Sequence, residues 1–128
     1  VMWYDMKTRG KDQRKAKGAM GEDAAALFLE TLGYRILDRN WRCRSGEIDL
    51  IARQEHILVF IEVRSRSSSK YGTPAESVTP RKITQVRQTA AVYLHMNGIG
   101  DAPIRFDMIS VRLSDETAVV TDHFIDAF

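Results

Sequence analysis

The chain has a single cysteine, Cys43, and cannot form an internal disulfide. That excludes the disulfide-stapled class of small domains and makes the cytoplasm the expected compartment. Cys43 lies between Arg42 and Arg44 with no histidine near it in sequence, so an inert thiol is the simpler reading. No apolar run approaches the ~20 residues of a membrane-spanning helix. The opening Val1-Met2-Trp3-Tyr4-Asp5 lacks the basic-then-apolar pattern of a signal peptide. His56, His95 and His123 share no spacing and read as ordinary surface or core side chains. There is no internal repeat, low-complexity tract or linker. The 128 residues are therefore expected to form a loose basic arm over 1–11 and one domain over 12–128.

What the chain does have is patterned charge. A hydrophobic content of 44% with 28% charged residues fits a globular protein, and the formal net charge is +2. Residues 1 to 99 hold 17 Lys or Arg against 11 Asp or Glu, a balance of +6, and residues 100 to 128 hold 2 against 6, a balance of −4. Lys7, Arg9, Lys11, Arg14, Lys15 and Lys17 form one basic cluster, and Arg64, Arg66, Lys70, Arg81, Lys82 and Arg87 a second. Such clustering is the footprint of a polyanionic partner, although a solvated charged surface would look the same.

Helical periodicity spans Asp12 to Leu32 through Ala16, Ala19, Met20, Ala24, Leu27, Thr31 and Leu32, with Gly33 as the stop. Gly18 and Gly21 weaken its first half, and small residues there would let the backbone approach something closely. Strands are expected over 34–42, 46–53 and 56–65, followed by a loop rich in turn formers. Thr79-Pro80 is a helix start, with Thr79 as N-cap. This helix should run to Met96 on an apolar stripe of Ile83, Val86, Ala90, Tyr93 and Leu94, and end at Asn97-Gly98. Residues 103–113 alternate as a half-buried strand, and a last strand is expected near 117–125. A strand, a crossover helix and a parallel strand require a right-handed connection, which places one helix on each face of a mixed sheet. The expected class is α/β (α+β).

The chemistry is concentrated in Gly46-Glu47-Ile48-Asp49-Leu50-Ile51 and Phe60-Ile61-Glu62-Val63-Arg64. With Gln54-Glu55 as the turn of a hairpin, Arg53 faces His56, Asp49 faces Phe60 and Glu47 faces Glu62. Alternation then sorts Ile48, Leu50, Ala52, Ile57, Val59, Ile61 and Val63 onto one face. The other face carries Ile51, Leu58 and Phe60 near the turn, and Glu47, Asp49, Glu62 and Arg64 at the far end. Carboxylates placed opposite each other repel. Asp49 and Glu62 also interrupt apolar strands, where an unpartnered carboxylate is costly. A divalent cation between them would resolve both problems. Glu22 and Glu47 read equally well as solvated residues.

These residues resemble the restriction-endonuclease-like, or PD-(D/E)xK, superfamily. More narrowly, they resemble the uncharacterised bacterial YraN-type family related to archaeal Holliday junction resolvases. The resemblance is carried by Gly21-Glu22, the Gly46–Ile51 run, Phe60–Arg66 and the helix opening Thr79-Pro80-Arg81-Lys82, and covers roughly residues 18 to 113. It implies a restriction-endonuclease-like core in the order αβββαβ(β). It implies Asp49 and Glu62 as ligands of Mg2+ (or Mn2+), joined by the Val63 carbonyl and by Glu22, with Gln85 as a polar residue near the site. The chain departs from the pattern at Arg64, where the superfamily has lysine. A guanidinium cannot serve as a base but can stabilise negative charge and orient a phosphate.

Three functions follow as expectations. The first is a metal-dependent endonuclease acting on DNA, at a branched or structured site, with Asp49, Glu62, Arg64 and Gln85 in the catalytic set. In it Arg66, Lys70, Arg81 and Lys82 hold the nucleic acid backbone. The second is a nucleic-acid-binding module of the same fold without turnover, which Arg64 supports. The third is a protein-interaction domain using the acidic C-terminal segment. A homodimer would suit the two-fold character of branched DNA.

Overall fold

The computed structural model describes residues 9–67 and 78–128, with side chains described from Gly18 onward. The elements are α1 (Arg9–Thr31), β1 (Arg35–Cys43), β2 (Gly46–Gln54), β3 (Ile57–Arg66), α2 (Pro80–Met96), β4 (Ile104–Leu113) and β5 (Ala118–Phe124). They form a mixed α+β fold. A five-stranded sheet has the order β1-β2-β3-β4-β5. β3 and β4 run parallel and the other neighbours antiparallel. Among the described residues no helix is long and apolar enough to cross a membrane.

The helix ends follow local rules. At the end of α1, Gly33 has φ 90, its N–H donates to the Glu30 carbonyl, and the Tyr34 N–H donates to the Leu29 carbonyl. This pair of bonds closes the orphaned last turn and needs a left-handed residue at Gly33. Thr79 caps α2 with its hydroxyl accepting from the Lys82 N–H at 3.2 Å, and Pro80 follows at the first helical position. α1 is already helical at Arg9, three residues before the expected start.

Each helix covers one face of the sheet. Ala25, Ala26 and Leu29 of α1 pack on Leu50, Ala52, Val59, Ile61, Ile109 and Val111. Val86, Ala90 and Tyr93 of α2 pack on Ile48, Ile51, Leu58, Phe60 and Phe106. The apolar stripe of α1 is rotated from the expected one. Leu27 and Leu32 are 64% and 52% exposed, while Ala25, Ala26 and Leu29 are buried. The helix turns its small residues inward so that its backbone lies close to the sheet. At Gly21 a Cβ would stand 2.0 Å from Ser65 Oγ, whereas Gly18 has no neighbour within 4 Å. On α2 the expected stripe lacked Thr89, which is fully buried and bonds the Gln85 carbonyl.

The β2–β3 hairpin differs from expectation in register. The turn is Glu55-His56, with Glu55 at φ 54, so that Gln54 pairs with Ile57, Ile51 with Phe60 and Leu50 with Ile61. Asp49 does not face Phe60. The slide leaves every side chain on its own face, because each partner changes by two and the strand period is two. The alternating pattern is blind to such a change. The assignment of Ile48 to the Leu50 face is also corrected. Ile48 joins the α2-side cluster, as does its cross-strand neighbour Trp41. The break coincides with Asn40, whose φ of 51 interrupts the regular alternation of β1.

Candidate functional site

The site forms where two paired strands separate. The β2–β3 ladder ends at Leu50 and Ile61. Beyond it, the Val63 N–H, two residues past Ile61, donates to Asp49 Oδ2 at 2.8 Å. A side-chain oxygen there takes the place of a strand carbonyl and holds the fork open. β3 meanwhile stays fixed by parallel pairing with β4, Glu62 beside Met108 and Arg64 beside Ser110.

Asp49 is half-buried, and its carboxyl is pushed up to about 7. Burial is the main cause and the Glu62 charge the next. The Val63 N–H opposes them, and Glu22 and Glu47 add smaller upward pushes. Asp49 and Glu62 lie within electrostatic reach of each other. Glu22 lies within electrostatic reach of the same carboxyl. The Gly21-Glu22 pair now has a local explanation, since the glycine permits the contact with Ser65 that seats this turn of α1 against β3.

Glu62 is flanked by two cations. Its Oε1 lies 3.3 Å from Lys82 Nζ and 4.0 Å from Arg64 Nε, and its side chain is 11% exposed. The Arg64 contact is an ion pair without a hydrogen bond, because the buried Nε has no hydrogen-bond partner. Glu47 does not oppose Glu62, contrary to the expected register. It pairs across the strands with Arg42, and Arg42 Nε donates to its Oε2 at 2.5 Å. The repulsion anticipated for Glu47 and Glu62 is instead carried by Asp49 and Glu62.

Gln85 supports the site through the β1–β2 turn. Its Nε2 donates to the Ser45 carbonyl at 3.4 Å. A Cβ on Gly46 would stand 3.0 Å from that nitrogen and 3.1 Å from Thr89 Oγ1, and Gly46 has φ 150. Glycine is therefore required where α2 meets the turn. Arg42, Cys43, Gly46, Glu47, Lys82 and Gln85 line an open groove of about 370 Å³. A second groove, sharing Gln85, runs along Arg81, Thr84 and Gln88. Arg81 is exposed and Arg66, the last residue of β3, is half-buried. Lys70 and the expected loop tip lie outside the described residues.

Two neighbouring carboxylates could hold a hydrated Mg2+, which takes one or two protein oxygens and fills its remaining positions with water and phosphate. Among the described residues no three His, Cys, Asp or Glu side chains converge into a complete metal cage. Asp49 and Glu62 could offer such an ion only part of its ligands, and Glu22 lies beyond the immediate pair.

Two features escaped sequence reasoning. The contact of Lys82 with Glu62 joins residues 20 apart in the chain, and only the packing of α2 reveals it. Away from the site, fully buried Asp107 accepts from Arg105 Nε and Nη2, pairs with His123 Nε2 at 2.8 Å and accepts the Asp126 N–H. Burial alone would raise its carboxyl, but the bonds from His123, Arg105 and Asp126 outweigh it and hold the group below the usual carboxylate range. Arg105 also reaches Tyr34 and Gln54. The Arg105-x-Asp107 spacing, two residues on one strand face, was the available signal.

The sequence model of the uncharacterised protein family UPF0102 matches residues 21–111. A UPF0102 protein of Geobacter sulfurreducens is 43% identical over 119 residues, covering 93% of each chain. One from Moorella thermoacetica is 49% identical over 106 residues, covering 83% of this chain and 88% of its own. The protein belongs to the UPF0102 family. The expected membership of an uncharacterised bacterial family is met in this form, and the matched span contains every element of the carboxylate site.

Proposed function

We propose that the protein is a metal-dependent DNA endonuclease of the restriction-endonuclease-like superfamily, acting in the cytoplasm on branched or otherwise structured DNA. The observation that carries this reading is the Asp49–Glu62 pair at the β2–β3 fork, two clustered carboxylates with Lys82 and Arg64 beside them. Half-buried like charges repel, and burial together with the Glu62 charge raises the Asp49 carboxyl.

Asp49 and Glu62 would hold Mg2+ or Mn2+, with Glu22 contributing from α1. The bound ion would supply an activated water and offset charge on the phosphodiester. The Val63 N–H fixes the orientation of the Asp49 carboxylate. Arg64 adds positive charge beside Glu62, and Gln85 steadies the turn that forms one wall of the groove. Arg66, Arg81 and Lys82 attract the backbone of the nucleic acid, which predicts salt-sensitive binding with little sequence preference.

The direct test is incubation with four-way-junction and linear DNA in Mg2+ or Mn2+. Cutting that disappears in both Asp49→Asn and Glu62→Gln supports the proposal. Cutting that persists in either is a contaminant, and absence of cutting by the wild type removes the hydrolytic reading. Arg64 at the position of the superfamily lysine favours one alternative, a DNA-binding module without turnover. Salt-dependent binding without cleavage is its signature, and a rate gained in Arg64→Lys would mark a decayed site.

A further inference from the structure

We propose that Lys82, on the first turn of α2, is the cation that contacts the scissile phosphate, with Arg64 confined to a supporting role behind Glu62. This inference rests on the nuclease reading above. Lys82 Nζ is 3.3 Å from Glu62 Oε1, while Arg64 Nε stands at 4.0 Å with no hydrogen-bond partner. Lys82 lines the open groove along Gly46, Glu47 and Gln85, and Arg64 does not. The two side chains are similarly exposed, 28% for Lys82 and 32% for Arg64, so the groove lining and the shorter approach to Glu62 distinguish them.

The amine also has the capacity to bridge. An ammonium carries three donors, so the ion pair with Glu62 leaves at least two for phosphate oxygens. Its base is rigid. The Lys82 N–H is held by the Thr79 hydroxyl, the Ile83 N–H by the Thr79 carbonyl, and Pro80 sets the first helical φ. The unsatisfied amides of the first turn add partial positive charge on the same side. Asp49 and Glu62 would otherwise repel a phosphodiester, and Lys82 touches one of them directly. Glu47, also on the groove, is already neutralised by Arg42. Lys82 thus joins the acidic fork to the approach path of the DNA.

The test uses the full chain and a fluorescein-labelled four-way junction, with anisotropy titrations in EDTA at several salt concentrations. Lys82→Met should weaken binding about tenfold and reduce the slope of log K against log salt by about 0.9, the loss of one phosphate contact. Lys82→Arg, which keeps the charge, should stay within about threefold of wild type. Arg35→Met, at the far end of β1, should bind as wild type does. If Lys82→Arg falls as far as Lys82→Met, the residue acts through packing and the proposal is overturned. It is equally overturned if Lys82→Met binds with an unchanged salt slope. In Mg2+, Lys82→Met should lower the single-turnover cleavage rate at saturating protein by at least a hundredfold, and undiminished cleavage refutes the assignment. If wild type does not cut at all, the hydrolytic reading fails separately. The anisotropy arm then decides whether Lys82 is the phosphate contact.

Discussion

Asp49→Asn should make the protein more stable at alkaline pH while removing its proposed chemistry. The native state holds the Asp49 proton up to about pH 7, whereas an ordinary aspartate releases it near 3.8. Between those values the folded chain binds more protons than the unfolded one, so stability falls as pH rises through the window. From pH 5 to the native value near 7 is about two pH units, on the order of 3 kcal/mol. Asparagine has no charge to lose, and its amide oxygen can still accept the Val63 N–H. The gap in stability between Asp49→Asn and wild type should therefore widen by about that amount from pH 5 to pH 8.5. Urea unfolding in EDTA at the two pH values measures it, with tryptophan fluorescence as the signal. Mg2+ added at pH 8.5 should recover stability in wild type and not in the variant. A gap that stays constant, or narrows as pH rises, would refute the account of Asp49 as a carboxylate strained by burial and by Glu62.

Other perturbations test the packing around the fork. Glu47→Gln breaks an ion pair whose side chains are 75% and 42% exposed, and should change stability by less than about 1 kcal/mol. Gly21→Ala should destabilise the protein by roughly 1–3 kcal/mol, since the new Cβ would overlap Ser65 Oγ, and Ser65→Ala should recover part of the loss in a double-mutant cycle. Gly18→Ala, with open space around it, should instead stabilise by about 1 kcal/mol. Asp107→Ala leaves Arg105 and His123 without their shared partner and should lose about 3–5 kcal/mol, read as a lower urea midpoint.

Local sequence signals were reliable where the physics is local. The Thr79-Pro80 start of α2, the Gly33 stop of α1 and the alternation of β3 depend on capping geometry and strand pleat, which neighbouring residues specify. The two acidic positions were legible for a related reason, since carboxylates set into apolar strands conflict with burial wherever the strands go. The phase of the α1 stripe was not legible. Alanine carries little hydrophobic signal, and only the close seating of Gly21 on Ser65 turns Ala25 and Ala26 inward while Leu27 stays out.

Pattern alone therefore established that β2 and β3 form a hairpin, that Asp49 and Glu62 occupy its open end, and that a helix follows with cations on its first turn. Which residues face one another was a tertiary matter. A slide of the hairpin partners by two preserves every face, so the pairing of Glu47 with Arg42 rather than Glu62 emerged only once β1 was packed alongside. The placement of Lys82 against Glu62 arose in the same way. It depends on how α2 docks across the sheet, and burial of Val86, Ala90 and Tyr93 on the sheet core sets that docking, not the residues next to Lys82 in the chain.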